Sequence, residues 1–442
     1  MYMKRVFSLI LAVNILLLAL GVEPTRAASP AWKVNPPDQG IVASTDSGSP
    51  IGSSFLIADQ PIDTARPAVA YNSQRQEYLV VWWNDRAGCD DIYGQRVSKG
   101  GALLGPHFSI AAGCPGERSV PDVAYNSQAN EYLVVWQLYS TPTYSVLGQR
   151  VSATGGLTGG TVHISDGTSI LGYYSPAIAY ASTENKYLVV FEIYDYTPKL
   201  YGIEAQALNS DGSAWGGYFI VGGFWVTNLL SMKPDLAYNQ MRNEFLVVWQ
   251  QDAATLRDIA GRRVKMAGGA ATLGADFWIY QDASGDDLNP AVAAVPRPPD
   301  GQYLVVWEHY TTSGDVWAQR VAGEGTLEGT AFSVYSSTGY DSSPAVAANE
   351  RDQQYLVTWS SELGYPPPNP PFVGIFERFI STAGGSYQSD VVWIAGLFAD
   401  HPAVASGPLG DNLIAYEDTP GSGQDIWGIL LGNRVYLPLV LR

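Results

Sequence analysis

Pro67-Ala-Val-Ala-Tyr71, followed by Tyr78-Leu-Val-Val-Trp82 and Asp91-Ile-Tyr-Gly-Gln-Arg-Val97, is the stretch that decides the fold. Its first member recurs as Pro121-Asp-Val-Ala-Tyr125, Pro176-Ala-Ile-Ala-Tyr180, Pro234-Asp-Leu-Ala-Tyr238, Pro290-Ala-Val-Ala-Ala294, Pro344-Ala-Val-Ala-Ala348 and Pro402-Ala-Val-Ala-Ser406, with successive prolines 54 to 58 residues apart. A period of that length filled with strands belongs to propeller blades rather than to helical solenoids. Seven copies predict seven blades.

Each copy repeats one internal order. Strand A begins at the proline, which cannot donate to a ladder and is tolerated at a strand start. Its fourth position is alanine in every copy, as expected where inner strands crowd around an axis. Strand B, as in Tyr132-Leu-Val-Val-Trp136 or Phe245-Leu-Val-Val-Trp249, is apolar without alternation, so both of its faces must be covered. A blade sandwiched between two neighbours meets that demand. Strand C follows as Asp91 to Val97 and its echoes, and strand D as a short piece such as Phe108-Ser-Ile110. The last copy lacks a clear strand D, while Phe55-Leu-Ile-Ala-Asp59 stands orphaned before the first. The expectation is an all-β, seven-bladed β-propeller of four-stranded antiparallel blades over 54–431, closed by an N-terminal strand joining the last blade. Val435 to Leu439 compete for that role, and Gly40-Ile-Val-Ala43 could donate part of a strand C.

These three motifs resemble the propeller-type repeats of many bacterial secreted proteins of unassigned role. The resemblance spans Phe55 to Leu431 and implies a fold without carrying catalytic residues with it. The end, Tyr436-Leu-Pro-Leu-Val-Leu-Arg442, is similar to short C-terminal tails of other exported bacterial proteins, and 432–442 reads as a tail.

Residues 1–27 read as a signal peptide: a basic start, an apolar run from Val6 to Val22, and small residues at Thr25-Arg26-Ala27. Residues 28–53 read as a linker, and no later stretch suits membrane insertion. A formal net charge of −17 makes nucleic acid and anionic membrane poor partners and suits solubility, a cation or a neutral ligand such as a glycan. Charged residues are only 15% of the chain and aromatics reach 12%, the balance of many short strands joined by turns. The two cysteines, Cys89 and Cys114, fall in the first B–C loop and the D–A connection of the same blade, so a disulfide is expected.

In an antiparallel blade, B–C loops and D–A connections share one face. The B–C loops differ in every copy, whereas most A–B turns are short and alike, so binding is expected on the B–C/D–A face. Candidate ligand-binding residues there are Asp85, Tyr139, Tyr144, Tyr194, Trp225, Asp252, His309, Tyr310 and Tyr365. After the strand B aromatic stands the series Trp83, Gln137, Glu192, Gln250, Glu308, Ser360 and Glu417. Its glutamates, Glu192, Glu308 and Glu417, could serve glycoside cleavage or hold calcium if they converge; otherwise they cap strand ends or pair with arginines. Arg96, Arg150, Arg263, Arg320 and Arg378 read as a structural ladder at one strand C position. Asp282 to Asp287 is too irregular for a calcium loop, no cofactor beyond calcium is suggested, and no hydrolase elbow, zinc-protease motif or phosphate loop occurs.

The leading expectation is a secreted or cell-surface, monomeric, non-catalytic module that binds an extracellular glycan or protein. A carbohydrate-active hydrolase or lyase is the second reading, and a structural surface protein the third.

Overall fold

The computed structural model describes residues 53–432 apart from 59–63, 86–88, 115, 198, 224–230, 254–255, 364–371, 385–388, 397 and 420–423. The expected leader, nearly all of the linker, the 433–442 tail with Val435 to Leu439, Gly40 to Ala43, Trp225 and Tyr365 lie outside the described residues.

The apolar B strands form the core, as their composition requires. Trp82, Trp136, Trp249, Trp307 and Trp359 are almost wholly buried, and each is worth about 3–5 kcal/mol against truncation to alanine. Core clusters join side chains of successive blades: Leu79 and Val81 of the first pack with Val123, Tyr132 and Val134 of the second. Seven sheets of four antiparallel strands result. The A strands are Thr64–Asn72, Glu117–Asn126, Leu171–Ala181, Ser231–Asn239, Asp286–Val295, Asp341–Asn349 and Ala399–Ser406. Each contacts the next, and the last contacts the first, which makes a ring. The chain forms a seven-bladed β-propeller. In the seventh sheet, Phe55–Ala58 pairs with Asp425–Leu431, placing Phe55 opposite Gly428 and Leu56 opposite Trp427.

Strand A differs from expectation in one respect. It starts up to five residues before its proline, and the ladder slips at that point in all seven sheets, as between Ala65 and Ala68 or between Leu288 and Ala291. Proline is therefore the second residue of a bulge within the strand rather than the strand's opener, a position where a missing donor is also tolerated. The residue before it has a left-handed backbone every time: Arg66, Val120, Ser175, Lys233, Asn289, Ser343 and His401 lie at φ 47 to 53°. None is glycine, so each bulge needs outside support.

The arginine ladder holds for four members. Arg96, Arg150, Arg263 and Arg320 face the leucine of strand B, and the first three pair with Glu77, Glu131 and Glu244. Arg320 instead donates to the Ser381 carbonyl and stacks over Phe332. Arg378 does not belong to the series: it faces Val357, one register earlier, and reaches the Val334 carbonyl, just as Arg262 reaches that of Val221. A shift of one residue moves a side chain to the opposite face of its sheet.

Cys89 and Cys114 form a disulfide with a Cα separation of 5.2 Å, tying the B–C loop of blade 1 to the following connection.

Candidate functional site

The glutamate and glutamine series supplies the support that the bulges need. Gln137 accepts the Ser175 N–H (3.2 Å), Glu192 that of Lys233 (3.0 Å), Gln250 that of Asn289 (3.0 Å), Glu308 that of Ser343 (2.7 Å) and Glu417 that of Arg66. Each acceptor belongs to the blade preceding its donor. At the seventh bulge, Ser360 donates to Asp400, whose same oxygen accepts the His401 N–H. Trp83, at the remaining position, is not an acceptor through its ring. The side chains thus hold a left-handed N–H and lock one blade to the next. Burial pushes the Glu308 carboxyl up, opposed by the Ser343 N–H. Amide and carboxylate do the same job here, so Glu308→Gln should change stability by less than about 0.5 kcal/mol. Glu308→Ala should cost about 1–3 kcal/mol by stranding the Ser343 donor. Urea denaturation of both variants checks the contrast.

Two acids unremarked in the sequence line the inner strands. Asp122 and Asp235 stand where the other blades carry alanine. Each accepts its own blade's next N–H and one from the following blade, Ile178 or Val292, at 2.7–2.8 Å. Burial pushes them up to about 6 and about 7. The signal was present in the repeat alignment, as Pro-Asp among Pro-Ala.

On the B–C/D–A end, blades 2 and 3 carry a continuous run of tyrosines. Tyr139, Tyr144 and Tyr194 lie on strands and not in loops, because strands Glu131–Ser140 and Thr143–Ser152 extend to a tip at Thr141-Pro142, and strands Lys186–Asp195 and Leu200–Asn209 also project. Tyr139 faces Tyr144 across one hairpin and Tyr194 faces Tyr201 across the other, the near approach that couples cross-strand aromatic pairs. Ring centroids are 4.5 Å apart from Tyr139 to Tyr144, 4.5 Å from Tyr144 to Tyr174, 4.7 Å from Tyr194 to Tyr196 and 4.2 Å from Tyr194 to Tyr201. The Tyr174 and Tyr196 hydroxyls hydrogen-bond within blade 3, and the Tyr144–Tyr174 ring contact carries the run across from blade 2. All six rings are half-buried. Tyr174, Tyr196 and Tyr201 share the ridge without belonging to the candidate set above.

A second aromatic pair, Tyr310 and Tyr340, is 38% and 43% exposed with rings stacked at 5.7 Å. Beside it, His309 is buried opposite Asp287 on paired strands. His309 Nδ1 lies 2.8 Å from Asp287 Oδ1, which also accepts from Trp307 Nε1 at 2.7 Å. His309 Nε2 lies 3.3 Å from Ser284 Oγ, and that hydroxyl donates to Asp282 at 2.5 Å. Tyr280 donates to Asp282 at 2.9 Å, and Trp317 packs 4.9 Å from the imidazole. Asp287 holds the imidazole's proton affinity above its ordinary value, while burial pushes Asp287 itself up to about 6. Asp252 instead faces Arg257 across its hairpin, 3.5 Å away, and Asp85 is exposed at the end of blade 1's strand B.

The molecule is thus a propeller with one chemically differentiated end. No protein-family model and no curated protein matches the chain. Among solved structures, it is similar to a protein of unknown function from Dyadobacter fermentans, 12% identical over 72% of this chain and 95% of that one, with a TM-score of 0.50. It is also similar to a Hadza microbial sialidase, 11% identical over 70% of this chain and 66% of that one, again with a TM-score of 0.50. At such identities the likeness shows the fold alone.

Proposed function

We propose that this chain is an exported, non-catalytic recognition protein that binds glycans through the tyrosine ridge of blades 2 and 3. The observation that carries the reading is the convergence of Tyr139, Tyr144, Tyr174, Tyr196, Tyr194 and Tyr201 on one end of the ring. Tyrosine offers a large, rigid and amphipathic contact at low entropic cost. Rings packed on one another leave edges and phenolic hydroxyls for a ligand, which suits a polyhydroxylated partner with apolar C–H faces. Supporting export are the disulfide and the leader-like start; no helix among the described residues is long and apolar enough to cross a membrane. Against the hydrolase reading, Glu192, Glu308 and Glu417 each belong to a different blade and hold a bulge N–H, whereas cleavage needs two carboxyls flanking one bond. A glycan array probed with the chain tests the reading. Selective binding to a glycan class is expected; a blank array beside capture of a protein partner would overturn it.

A further inference from the structure

We propose that a cavity between blades 5 and 6, at the A–B/C–D end and so opposite the tyrosine ridge, binds a small molecule carrying a carboxylate or phosphate group. The cavity measures about 360 Å³, and its walls include Arg297, Arg320, Glu328, Phe332, Thr382 and Ala383. Ligand pockets usually span about 300–1,000 Å³, so the space suits an acidic monosaccharide or an organic acid of that size. Departures from the repeat meet at this spot. In blades 1, 2 and 4 the strand C arginine is neutralised by a glutamate at the start of strand B, as Arg96 is by Glu77. Blade 5 has Gln302 at that position, an amide that donates to Glu328 and, at 3.1 Å, to the Thr382 carbonyl of blade 6. The A–B connection is also longer, 296–301 against 73–76 in blade 1, and it brings Arg297 to within 3.1 Å of Glu328.

The lining therefore holds two guanidiniums against one carboxylate, an excess of positive charge in a chain whose formal net charge is −17. Glu328 is shared between Arg297 and Gln302. Arg320 is buried and fixed in place: its Nε donates to the Ser381 carbonyl at 2.9 Å, and its Cζ lies 4.7 Å from the centre of the Phe332 ring. Burying a guanidinium is costly, and an anion beside it offsets that cost. Its planar fork of donors matches the oxygens of a carboxylate or phosphate, and because the fork is already oriented, little side-chain entropy is lost on binding. The tyrosine ridge lies at the other end of the ring, so the two sites can be lost separately.

The test is calorimetric titration of the full chain with sodium glucuronate, sodium phosphate and, as the neutral control, glucose. One anion per chain is expected, with no heat from glucose and with binding weakened several-fold by added sodium chloride. The tighter of the two anions identifies the anchoring group. Arg320→Met should weaken binding by about 10–100-fold through loss of its charge-assisted hydrogen bonds. Ala383→Trp, at an exposed position in the lining, should abolish binding by filling the space. The double variant Tyr144→Ala/Tyr194→Ala should leave the titration unchanged. Circular dichroism establishes that each variant is folded; if Arg320→Met is not, Ala383→Trp decides. No binding of either anion by the folded wild type, glucose bound as tightly as glucuronate, or full binding by folded Arg320→Met or Ala383→Trp would overturn the proposal.

Discussion

Glu377→Met is expected to stabilise the protein at pH 8 by on the order of 6 kcal/mol, with most of that gain gone at pH 5. In six blades, the strand C residue opposite the position just before the strand B aromatic is small: Gly94, Gly148, Ala205, Gly261, Ala318 and Gly428. In the sixth blade that residue is Glu377, opposite Thr358. It is fully buried, and neither carboxyl oxygen has a hydrogen-bond partner among the described residues. Burial pushes its carboxyl up to about 8 from an ordinary value of 4.5. Between those values the folded chain keeps a proton that the unfolded chain has released. Stability therefore falls as pH rises through that window, by about 1.4 kcal/mol for each pH unit. Methionine has a similar length and no charge, so it removes the slope and the unsatisfied group together. At pH 5 the remaining advantage should be about 1–3 kcal/mol, the cost of burying a neutral carboxyl without a partner. Urea denaturation at pH 5, 6.5 and 8 reads both numbers, and parallel pH profiles for the two proteins would contradict the assignment.

The second large effect concerns the ridge. Tyr144 contacts both Tyr139 and Tyr174, and Tyr194 contacts both Tyr196 and Tyr201, so these two rings are the joints of the run. Truncating a central tyrosine in an interface typically removes about 2 kcal/mol or more of binding energy. Tyr144→Ala and Tyr194→Ala should each weaken binding of the glycan found on the array by about 30-fold, and the double variant by more than about 100-fold. The fold should survive, because a cross-strand aromatic pair contributes only about 0.2–1 kcal/mol to a sheet. Tyr144→Phe separates the two contributions of the ring: retained affinity points to packing, and a loss of about tenfold points to the hydroxyl. Undiminished binding by the folded double variant would remove the ridge from the account.

What the sequence disclosed and what it concealed follow from the physics of each feature. Seven copies of a two-faced apolar strand admit few architectures, so blade number and strand order were legible. The bulge was not, because a proline in a strand is tolerated both as an opener and at a slipped pair, and only pairing distinguishes them. Series membership of Glu192, Glu308 and Glu417 was legible. Their task was hinted at by Gln137 and Gln250, since a position that accepts an amide has no need of charge. Tyr139, Tyr144 and Tyr194 stood out from the sequence as loop aromatics, but strand pairing that continues past the blade body turned the expected loops into hairpins. His309 and Asp287 lie 22 residues apart and meet only because their strands pair in one register. A slip of one residue would put them on opposite faces, and no spacing rule encodes that choice. Arg378 was misplaced for the same reason.

The account rests on assigning recognition to the tyrosines and scaffolding to the glutamates, and one paired measurement tests that division. The wild type and the triple variant Glu192→Gln/Glu308→Gln/Glu417→Gln are incubated with the bound glycan, and affinity and released reducing sugar are read from the same samples. The account predicts equal affinity within about threefold and no released sugar from either protein. Sugar released by the wild type and absent with the folded triple variant would contradict it.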